Sequence, residues 1–339
     1  MPSVDELRQT AIMALEKVGA STTNAALQVD LLLDAELSGH VSHGLLRLPR
    51  LVARIKSGVA NPNAIGVQKW RNKALLDVDG EDGLGPVVAL YALKQLHERV
   101  AETGIAAAAI RNCNHLGMLA WYAEKVAEQG KVLIAFTLSE ALVHPWNGSE
   151  ALIGTNPISI GVPADPKPFV MDMATSQVSM GKIHAHAGRG EQIPEGWALD
   201  RSGRPTTDAA AATIGALSPF GGAKGYALGL AFETLVAALT GSAIGDDVVG
   251  TLDDDRRCNK GDLFIMINPV DGATGIVSAY LDRLRTSHPS HAGTAVRIPG
   301  DRAAEVRMDR EIAGVPVELS IWNQIQALAK PGQIGLNSR

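Results

Sequence analysis

From Lys73 onward, apolar segments alternate between strand-like and helix-like spacing, and this alternation constrains the fold more than any other feature of the sequence. The strand-like run ALLDVDG precedes an apolar helical stretch over 87–102, and IAAAAIRN precedes a second one over 118–128. Further strand-like runs follow in KVLIAFTL and over 169–173 and 262–269. Because strands that alternate with helices assemble into sheets covered by helices, we predict an α/β fold.

The two ends of the chain have a different spacing of apolar residues, which is helical without intervening strands. Apolar positions recur every three or four residues over 5–38, which predicts a pair of helices. Another helix is predicted over 318–328 and could fold back onto this pair. We therefore predict two parts: a helical lobe (1–72, joined by 301–339) and an α/β lobe (73–300).

Composition excludes several classes of partner. The 339 residues carry a net charge of −5 and contain no run of lysine or arginine, so a nucleic-acid-binding surface is not expected. No stretch of the sequence reaches the eighteen apolar residues that would predict a membrane span. The start MPSVDELRQT is polar and acidic, unlike a secretory signal. The two cysteines, Cys113 and Cys258, are predicted to be buried thiols of a cytoplasmic protein. A small anionic substrate would then have to be bound by local cations.

The 35 glycines prompt a search for a phosphate-binding turn. GEDGLGPVVAL follows a strand-like run and precedes a helix, but Val88 occupies the third glycine position after Gly83 and Gly85. A side chain there would crowd the helix against the sheet of a Rossmann fold. Spacing alone therefore does not establish a nicotinamide cofactor.

GHVSHGLLRLPR brings Ser42, His43 and Arg47 together. If the chain is helical from His43, the histidine and the arginine lie four residues apart on one face. Imidazole can exchange a proton near neutral pH, and the arginine fork matches a carboxylate. From these residues alone, the simpler interpretation is that His43 caps or packs and that Arg47 and Arg50 are surface residues.

A second histidine, His115, follows the strand-like run IAAAAI in RNCNHLG. Ligands bind near strand ends in α/β sheets, which makes His115 a candidate. The alternative is a loop histidine bonded to the backbone, with Asn112 and Asn114 capping the next helix.

MDMATSQVSMGKI ends a strand-like run with Asp172, Thr175 and Ser176, followed by Lys182. These donors, acceptors and the cation suit a ribose or phosphate site. A polar turn that leads into a helix is the structural alternative.

SPFGGAKGYALGLAFE places Lys224 and Gly225 at the start of an apolar helix. Such a helix N-terminus can bind an anion, but a glycine hinge for tight packing explains the segment equally well.

Two further clusters are given no functional role. His184 and His186 could chelate a metal if they alternated along a strand, but no cysteine or carboxylate set accompanies them at ligand spacing, and we predict no metal site. The acidic segment GDDVVGTLDDDRR is predicted to be a solvated loop.

Taken in order over about residues 5–305, these segments resemble the type 2 malate/L-lactate dehydrogenase family. The motifs that carry the resemblance are SHGLLR, NCNHLG, GTNP, MDMATS, GKI, PEGWALD, PTTD and PFGGAKGYAL. The family also includes ureidoglycolate and sulfolactate dehydrogenases, diketogulonate reductase and reductases of cyclic imines. Many motifs in a fixed order are far more specific than any one of them.

The resemblance implies an NAD- or NADP-dependent homodimer that acts at C2 of a small 2-hydroxy or 2-oxo acid. The implied fold is a non-Rossmann nicotinamide-binding fold with a large mixed sheet and a helical lobe, so the missing glycine fingerprint is expected. His43 and His115 match the acid/base histidines, with Ser42 and Arg47 in the substrate site. The positions that match the cofactor site are Ser139, Asp172, Met173, Ala174, Thr175, Ser176, Lys182, Lys224, Gly225, Pro299, Gly300 and Asp301.

Two departures from the family pattern leave the substrate open. Leu51 stands where many members carry a tyrosine, and WNGSE (146–150) replaces a more usual WGG turn. Lys182 is typical of the hydroxy-acid members, whereas some cyclic-imine reductases are expected to carry an acidic residue there. This difference favours a carbonyl substrate and makes a cyclic imine, such as piperideine or pyrroline carboxylate, the alternative.

Overall fold

A computed structural model describes residues 2–291 and 293–330 of the chain. Within these ranges the α-helices are α1 (Val4–Glu16), α2 (Thr22–Leu37), α3 (Leu48–Lys56), α4 (Gly85–Thr103), α5 (Leu119–Glu128), α6 (Met180–Arg189), α7 (Ala209–Ala212), α8 (Ala223–Thr240), α9 (Ala273–Arg285), α10 (Asp301–Ala313) and α11 (Leu319–Ala329). The strands are β1 (Val67–Trp70), β2 (Leu75–Gly83), β3 (Ile105–Cys113), β4 (Val132–Thr137), β5 (Ala141–Val143), β6 (Ile153–Gly154), β7 (Ile158–Val162), β8 (Phe169–Met173), β9 (Ala198–Leu199), β10 (Pro205–Thr206), β11 (Ala216–Leu217) and β12 (Gly261–Ile267).

The larger of two sheets has seven described strands in the order β1-β2-β3-β12-β4-β7-β8. Only β2 and β3 run parallel among these strands, and α4 connects them; every other neighbouring pair is antiparallel. A Rossmann sheet is mostly parallel, so this sheet is built differently. The predicted non-Rossmann α/β fold with a large mixed sheet is confirmed.

The strands of the large sheet are covered on both faces. Alternate residues of a strand point to opposite faces. Accordingly, Phe264 and Met266 of β12 pack with α4 and α5, whereas Leu263 packs with Val236 of α8 on the other face. The smaller sheet, in the order β10-β9-β11-β5-β6, lies over its own apolar cluster with α6 and α7.

The helices at the two ends of the chain share one core. Leu7 and Leu15 of α1, Val29 of α2 and Val52 of α3 pack with Ile325 of α11. The predicted return of the C-terminal helix onto the N-terminal helices is therefore confirmed. The division into lobes at residue 72 stays a prediction; β1 lies before it and pairs with β2, and 331–339 lie outside the described residues.

Several minor predictions concern the cysteines, two histidines and the helices. Cys113 and Cys258 are buried free thiols, as predicted. His184 and His186 lie in helix α6, not in a strand, and the described ranges contain no group of three or more histidine, cysteine or acidic residues that could hold a metal ion. Among the helices described, none is both long and apolar enough to cross a membrane.

The glycine-rich turn between β2 and α4 is dictated by packing. A Cβ atom on Gly85 would lie 2.2 Å from the carbonyl oxygen of His115, and one on Gly83 would lie 2.6 Å from Cγ2 of Val88. Both distances are far below normal contact, so helix α4 can begin at this place only without side chains there. The turn therefore fixes the position of the His115 backbone.

We predict that Gly85→Ala destabilises the protein by about 1–3 kcal/mol, because the added methyl group must displace the His115 backbone. The free energy of unfolding, measured by urea denaturation at a fixed protein concentration, tests this. Gly275→Ala is the matched control, since Gly275 lies in α9 with no atom within 4 Å of an added Cβ. Equal stability of the two variants would contradict the packing role of Gly85.

Candidate active site

A cleft opens between α2, α3, the loop after β3 and the loop before β12. Its empty volume, including the part open to solvent, is about 470 Å³. The lining residues are Gln28, Leu31, Leu32, Arg47, Arg50, Leu51, Arg54, Asn114, His115, Gly117, Gly250 and Thr251.

His115 lines this cleft, and the other candidate histidine, His43, packs against it. The rings of His43 and His115 stack with centroids 5.5 Å apart and an interplanar angle of 25°. The Ser42 hydroxyl lies 3.0 Å from Nδ1 of His43. The structure therefore brings together residues that are 72 positions apart in the sequence.

The segment that carries Ser42 and His43 is not the α-helix that the sequence suggested. Two short 3-10 turns, Val41–His43 and Leu45–Arg47, are separated by Gly44 in an extended conformation. The buried Glu36 of α2 explains the break, because Oε1 of its carboxylate accepts the Leu45 N–H at 2.8 Å. A Cβ on Gly44 would lie 2.2 Å from the same oxygen, so only glycine fits.

Arg47 is nevertheless held beside the histidines. Its Nε donates to the Ser42 carbonyl at 2.8 Å, and its terminal nitrogens form no hydrogen bond with another residue in the part of the chain described. Burial, reinforced by the nearby charge of Arg50, lowers the pKa of Arg47 to about 10, so the guanidinium stays charged at neutral pH. An arginine in this state suits a bidentate bond to a carboxylate.

Both imidazoles are neutral at physiological pH. Desolvation, and then the charge of Arg47, lower the pKa of His43 to about 4. The same two causes lower the pKa of His115 well below its usual range. The N–H of Gly117 donates to Nδ1 of His115 at 3.0 Å, so the proton of neutral His115 resides on Nε2.

Arg54 and Asn114 are functional candidates that the sequence reasoning missed. Arg54 is 4% exposed; its Nε donates to Oδ1 of Asn114 at 2.9 Å and its Nη1 donates to the carbonyls of Asp253 and Arg256 at 2.6 and 3.1 Å. Asn114 therefore does not cap the following helix. The spacing of Arg54 from Arg50, four residues apart on one face of α3, was a signal that could have found it.

The loop before β12 is less solvated than the sequence suggested. Oε1 of Glu140 accepts hydrogen bonds from the N–H and hydroxyl of Thr251 and from the N–H of Leu252, at 2.7 to 3.0 Å. Gly250 and Thr251 are consequently buried in the cleft wall, whereas 254–257 are exposed.

Asp172 connects the candidate cofactor segment to the histidine loop. Its Oδ2 accepts the N–H of Ala120 at 2.7 Å, so the carboxylate caps helix α5 just after the loop of His115. Burial raises the pKa of Asp172 to about 6, while the backbone N–H groups of Ala120 and Leu119 lower it. The carboxylate thus has a structural partner, and its role toward a cofactor stays a prediction.

Hydrogen bonds join several of the other candidate cofactor residues. The Ser139 hydroxyl accepts the Thr155 N–H at 2.8 Å, and the Thr155 carbonyl accepts the Thr175 hydroxyl at 2.9 Å. The Thr175 carbonyl accepts the N–H of Phe220, just before the turn that leads into α8. Ser139, Thr175 and the N-terminus of α8 therefore lie in one continuous network.

Helix α8 begins at Ala223, so the two candidates of its motif, Lys224 and Gly225, lie in its first turn. Lys224 is exposed, whereas Gly225 is buried, and a Cβ there would lie 2.0 Å from the Phe220 carbonyl oxygen. Gly225 is therefore required by close packing, and Lys224 is left as the cation at this helix end.

Lys182 lies in the first turn of α6, with its Nζ 4.7 Å from the centroid of the Trp197 ring. A Cβ on the preceding residue, Gly181, would lie 3.3 Å from Cβ of Ser42. The GKI motif is therefore a neighbour of the Ser42–His43 segment.

The remaining candidates flank β8. Met173 is the last residue of β8 and is exposed, and Ala174 follows it. Ser176 is buried, with its hydroxyl donating to the Val178 carbonyl. The turn of Pro299, Gly300 and Asp301 packs near the beginning of the same strand, since a Cβ on Gly300 would lie 3.3 Å from the Val170 carbonyl oxygen. Asp301 is fixed there by Arg285 and by the Ile298 N–H.

These residues fit an extended dinucleotide. They lie at both ends of β8, beside β4 and at the N-termini of α6 and α8, and we call this set the cofactor strip. It includes two exposed lysines, Lys182 and Lys224, whereas Thr175 and Ser176 are buried with their hydroxyls donating to backbone carbonyls. Exposed cations of this kind suit the diphosphate group of such a cofactor.

Known proteins resemble this chain over nearly its whole length. A solved structure described as a dehydrogenase from Sinorhizobium meliloti superposes with a TM-score of 0.94 at 52% identity, over 97% of this chain and 98% of that one. The L-sulfolactate dehydrogenase of Methanocaldococcus jannaschii is 36% identical over 336 residues, which cover 97% of this chain and 96% of that protein. The Delta(1)-pyrroline-2-carboxylate reductase of Ancylobacter novellus is 36% identical over 294 residues, 86% of each.

The family-level comparison agrees with the motifs. The family model described as malate/L-lactate dehydrogenase matches residues 3–326, slightly more than the 5–305 over which the motifs extend. The resemblance predicted from the sequence is confirmed, and the chain belongs to the malate/L-lactate dehydrogenase family.

Proposed function

We propose that the chain is an NAD- or NADP-dependent dehydrogenase that transfers a hydride between the nicotinamide and C2 of a small 2-hydroxy or 2-oxo acid. The observation that carries this proposal is the stacked pair His43 and His115 beside Arg47 at one cleft. A carboxylate clamp next to proton-exchanging groups is what this reaction requires. Membership of the family supports the same reaction.

The geometry supports the following division of roles. Arg47 binds the substrate carboxylate, which fixes the position of C2 and its oxygen relative to the imidazoles. When bound, the cofactor supplies or accepts the hydride at C2. His115 presents the Nε2 proton to the substrate oxygen, because its Nδ1 already accepts the Gly117 N–H.

His43 has a choice that His115 lacks. If Nδ1 of His43 donates to the Ser42 hydroxyl, its Nε2 is free to accept the hydroxyl proton during oxidation and to return it during reduction. Because the Ser42 hydroxyl can donate or accept, it is compatible with either tautomer of His43. Both histidines remain candidates for the proton transfer.

The cofactor would be held along β8 by the strip described above, with Lys182 and Lys224 near its phosphates and the 299–301 turn at the far end. A cytoplasmic location is part of the proposal, and the two buried free thiols agree with a reducing compartment.

Reduction of a cyclic imine is the second candidate function, since a pyrroline-carboxylate reductase is as similar in identity as the sulfolactate dehydrogenase. Such a substrate has a C=N bond at C2 and would need the same carboxylate clamp and proton donor. If the protein reduces a cyclic imine faster than any 2-oxo acid, this second function replaces the first.

We also propose that the protein is a homodimer that buries the outer face of α8. This helix is apolar on all sides, but its buried residues are only Gly225, Gly229, Glu233, Val236 and Thr240. Leu228 and Leu235 are 43% and 42% exposed and share one face. A helix that is apolar all round is normally covered, and a second copy offers the same apolar face as its complement.

The reaction is tested by following the absorbance of NADH and NADPH with pyruvate, oxaloacetate, sulfopyruvate and cyclic imines. We expect a 2-oxo acid to be reduced fastest. His43→Ala and His115→Ala should each lower kcat by about 100- to 10,000-fold, and Arg47→Ala should mainly raise KM. Cofactor binding, measured by fluorescence, should persist in all three variants.

His288→Ala is the matched control, because His288 lies exposed in a loop. Unchanged turnover in both active-site histidine variants would refute the assignment. If the wild type oxidises neither reduced cofactor with any substrate, the chain is a binding protein or scaffold on this fold.

The lowered histidine pKa values predict an unusual pH profile. Oxidation needs a neutral imidazole, and neutral His43 predominates above its lowered pKa of about 4. With oxidised cofactor saturating and a monocarboxylic hydroxy acid varied, kcat/KM should stay level down to about pH 5.5. A decline centred near the ordinary histidine pKa of 6.5 would contradict this, provided circular dichroism shows a folded protein.

Leu235→Glu should convert the proposed dimer into a monomer or weaken it strongly, because a charge cannot be buried without a partner. Light scattering coupled to size exclusion measures the mass. Ile312→Glu on α10, where Ile312 is 88% exposed, is the control that should leave the mass unchanged. A monomeric wild type would reject the dimer.

A further inference from the structure

The C-terminal end of α2 leads directly into the 41–47 segment, which carries the candidate residues of the first histidine motif. The His40 N–H donates to the Ala35 carbonyl at 2.8 Å. The Gly39 N–H donates to the Glu36 carbonyl at 3.0 Å, and Gly39 has a φ of 78°. These two bonds and the left-handed glycine form a Schellman turn. The turn sets the direction in which the chain leaves α2 and enters the 41–47 segment.

Helix α10 binds this turn through two arginines. Nη1 of Arg310 donates to the same Glu36 carbonyl. Nη2 of Arg307 donates to Oδ1 of Asp34 at 2.7 Å and to the Ser38 hydroxyl at 2.9 Å. The last carbonyls of a helix lack partners within it and carry partial negative charge, so cations are favourable there. The two arginines therefore stabilise the end of α2 through both its backbone and its side chains.

The contact between α10 and the turn is close and largely buried. The side chains of Arg307 and Asp34 are only 23% and 14% exposed. A Cβ on Gly39 would lie 3.1 Å from Cγ1 of Val306, so α10 packs directly against the turn. Val306 and Arg310 are four residues apart and therefore share one face of α10, with Arg307 beside them. This face of α10 is thus complementary to the end of α2.

Glu36 connects the contact to the 41–47 segment. Its carbonyl accepts the bond from Arg310, and its carboxylate accepts the Leu45 N–H at 2.8 Å. Burial raises the pKa of this carboxyl group, whereas the Leu45 N–H and the charge of Arg310 lower it. Leu45 lies between His43 and Arg47 in the sequence, so a shift of the end of α2 would move both.

We propose that Arg307 and Arg310 are positioning residues for the reaction, because by holding the end of α2 they fix the 41–47 segment relative to the substrate. This inference rests on the proposed function, in which His43 and Arg47 of that segment act on the substrate. Neither arginine of α10 is among the described residues that line the cleft, so both act through the segment. A displacement of about 1 Å can cost about 100-fold in rate, so the loss of either contact should affect turnover.

Steady-state kinetics at saturating cofactor test the proposal. Arg310→Met, which removes the donor but keeps much of the side chain's length, should lower kcat and raise KM for the acid. The combined loss in kcat/KM should be about 10- to 100-fold. Arg310→Lys retains a donor for the Glu36 carbonyl and should recover most of this loss. Asp309→Asn, at an exposed position of the same helix, is the matched control and should leave both constants unchanged.

A purely structural role gives a different kinetic result. If Arg310→Met only reduced the folded fraction of the protein, kcat would fall while KM stayed unchanged, and this result would overturn the proposal. Arg307→Met should behave like Arg310→Met. If Arg307→Met fails to fold because it leaves the Asp34 carboxylate without its cation, Arg310→Met decides.

A double-mutant cycle shows whether Arg310 acts through His43. If it does, Arg310→Met should lower kcat by a smaller factor in the His43→Ala background than in the wild type. Equal factors in the two backgrounds would show that the effect of Arg310 is independent of His43 and would reject its positioning role.

Hydrogen exchange separates this inference from the proposed function, because it needs no substrate. Mass spectrometry follows the exchange of backbone amides in peptides that cover 39–47 and, as an internal control, in peptides from β12. The 39–47 amides should exchange faster in Arg310→Met than in the wild type, whereas the β12 amides should not change. Faster exchange of 39–47 supports the positioning role even if no cofactor is oxidised. Unchanged exchange of 39–47 overturns it even if the dehydrogenase activity is found.

Discussion

The close contact of the α4 backbone with the loop after β3 is the constraint on which the active cleft depends. Helix α4 begins where its first residue, Gly85, meets the His115 carbonyl, and the loop turns at Gly117 with positive φ directly over Leu31 of α2. Because neither glycine has a side chain, the sheet edge and the N-terminal helices approach within van der Waals distance. His115 from one part and His43 from the other can then stack.

This proximity determines which charge states of the cleft residues are favoured. Once the histidines are partly withdrawn from water and placed beside Arg47, the neutral forms of both rings are favoured. The charged form of Arg47 is itself destabilised by burial and by the charge of Arg50. The cleft therefore contains unfavourable repulsion between like charges, whereas its packing is not strained. An anionic ligand would reduce this repulsion.

Much of the fold was predictable because the local spacing of apolar residues indicates its helices and strands. The periodicity over 87–102 and 118–128 placed α4 and α5 within two residues of their observed bounds, and the apolar C-terminal helix was placed on its observed partners.

The candidate site was predictable from the order of the motifs and not from the chemistry of single residues, because His43, His115 and Arg47 are individually unremarkable. The helix expected from His43 failed because a distant side chain, Glu36, competes for the Leu45 N–H, and periodicity does not report such long-range bonds. Arg54 was missed because a buried arginine in an amphipathic helix looks like a surface residue until its neighbours are known.

Asp172 has a consequence for any attempt to redesign the protein. Its carboxylate belongs to the strand that would line the cofactor, yet its hydrogen bond is to the helix that follows the loop of His115. Met173 is exposed, whereas Thr175 and Ser176 are buried and hydrogen-bonded to other parts of the protein. A change at Asp172 itself would remove the bond between β8 and the start of α5, next to the loop of His115. Libraries that treat coenzyme preference and turnover as separate traits should leave this one position fixed.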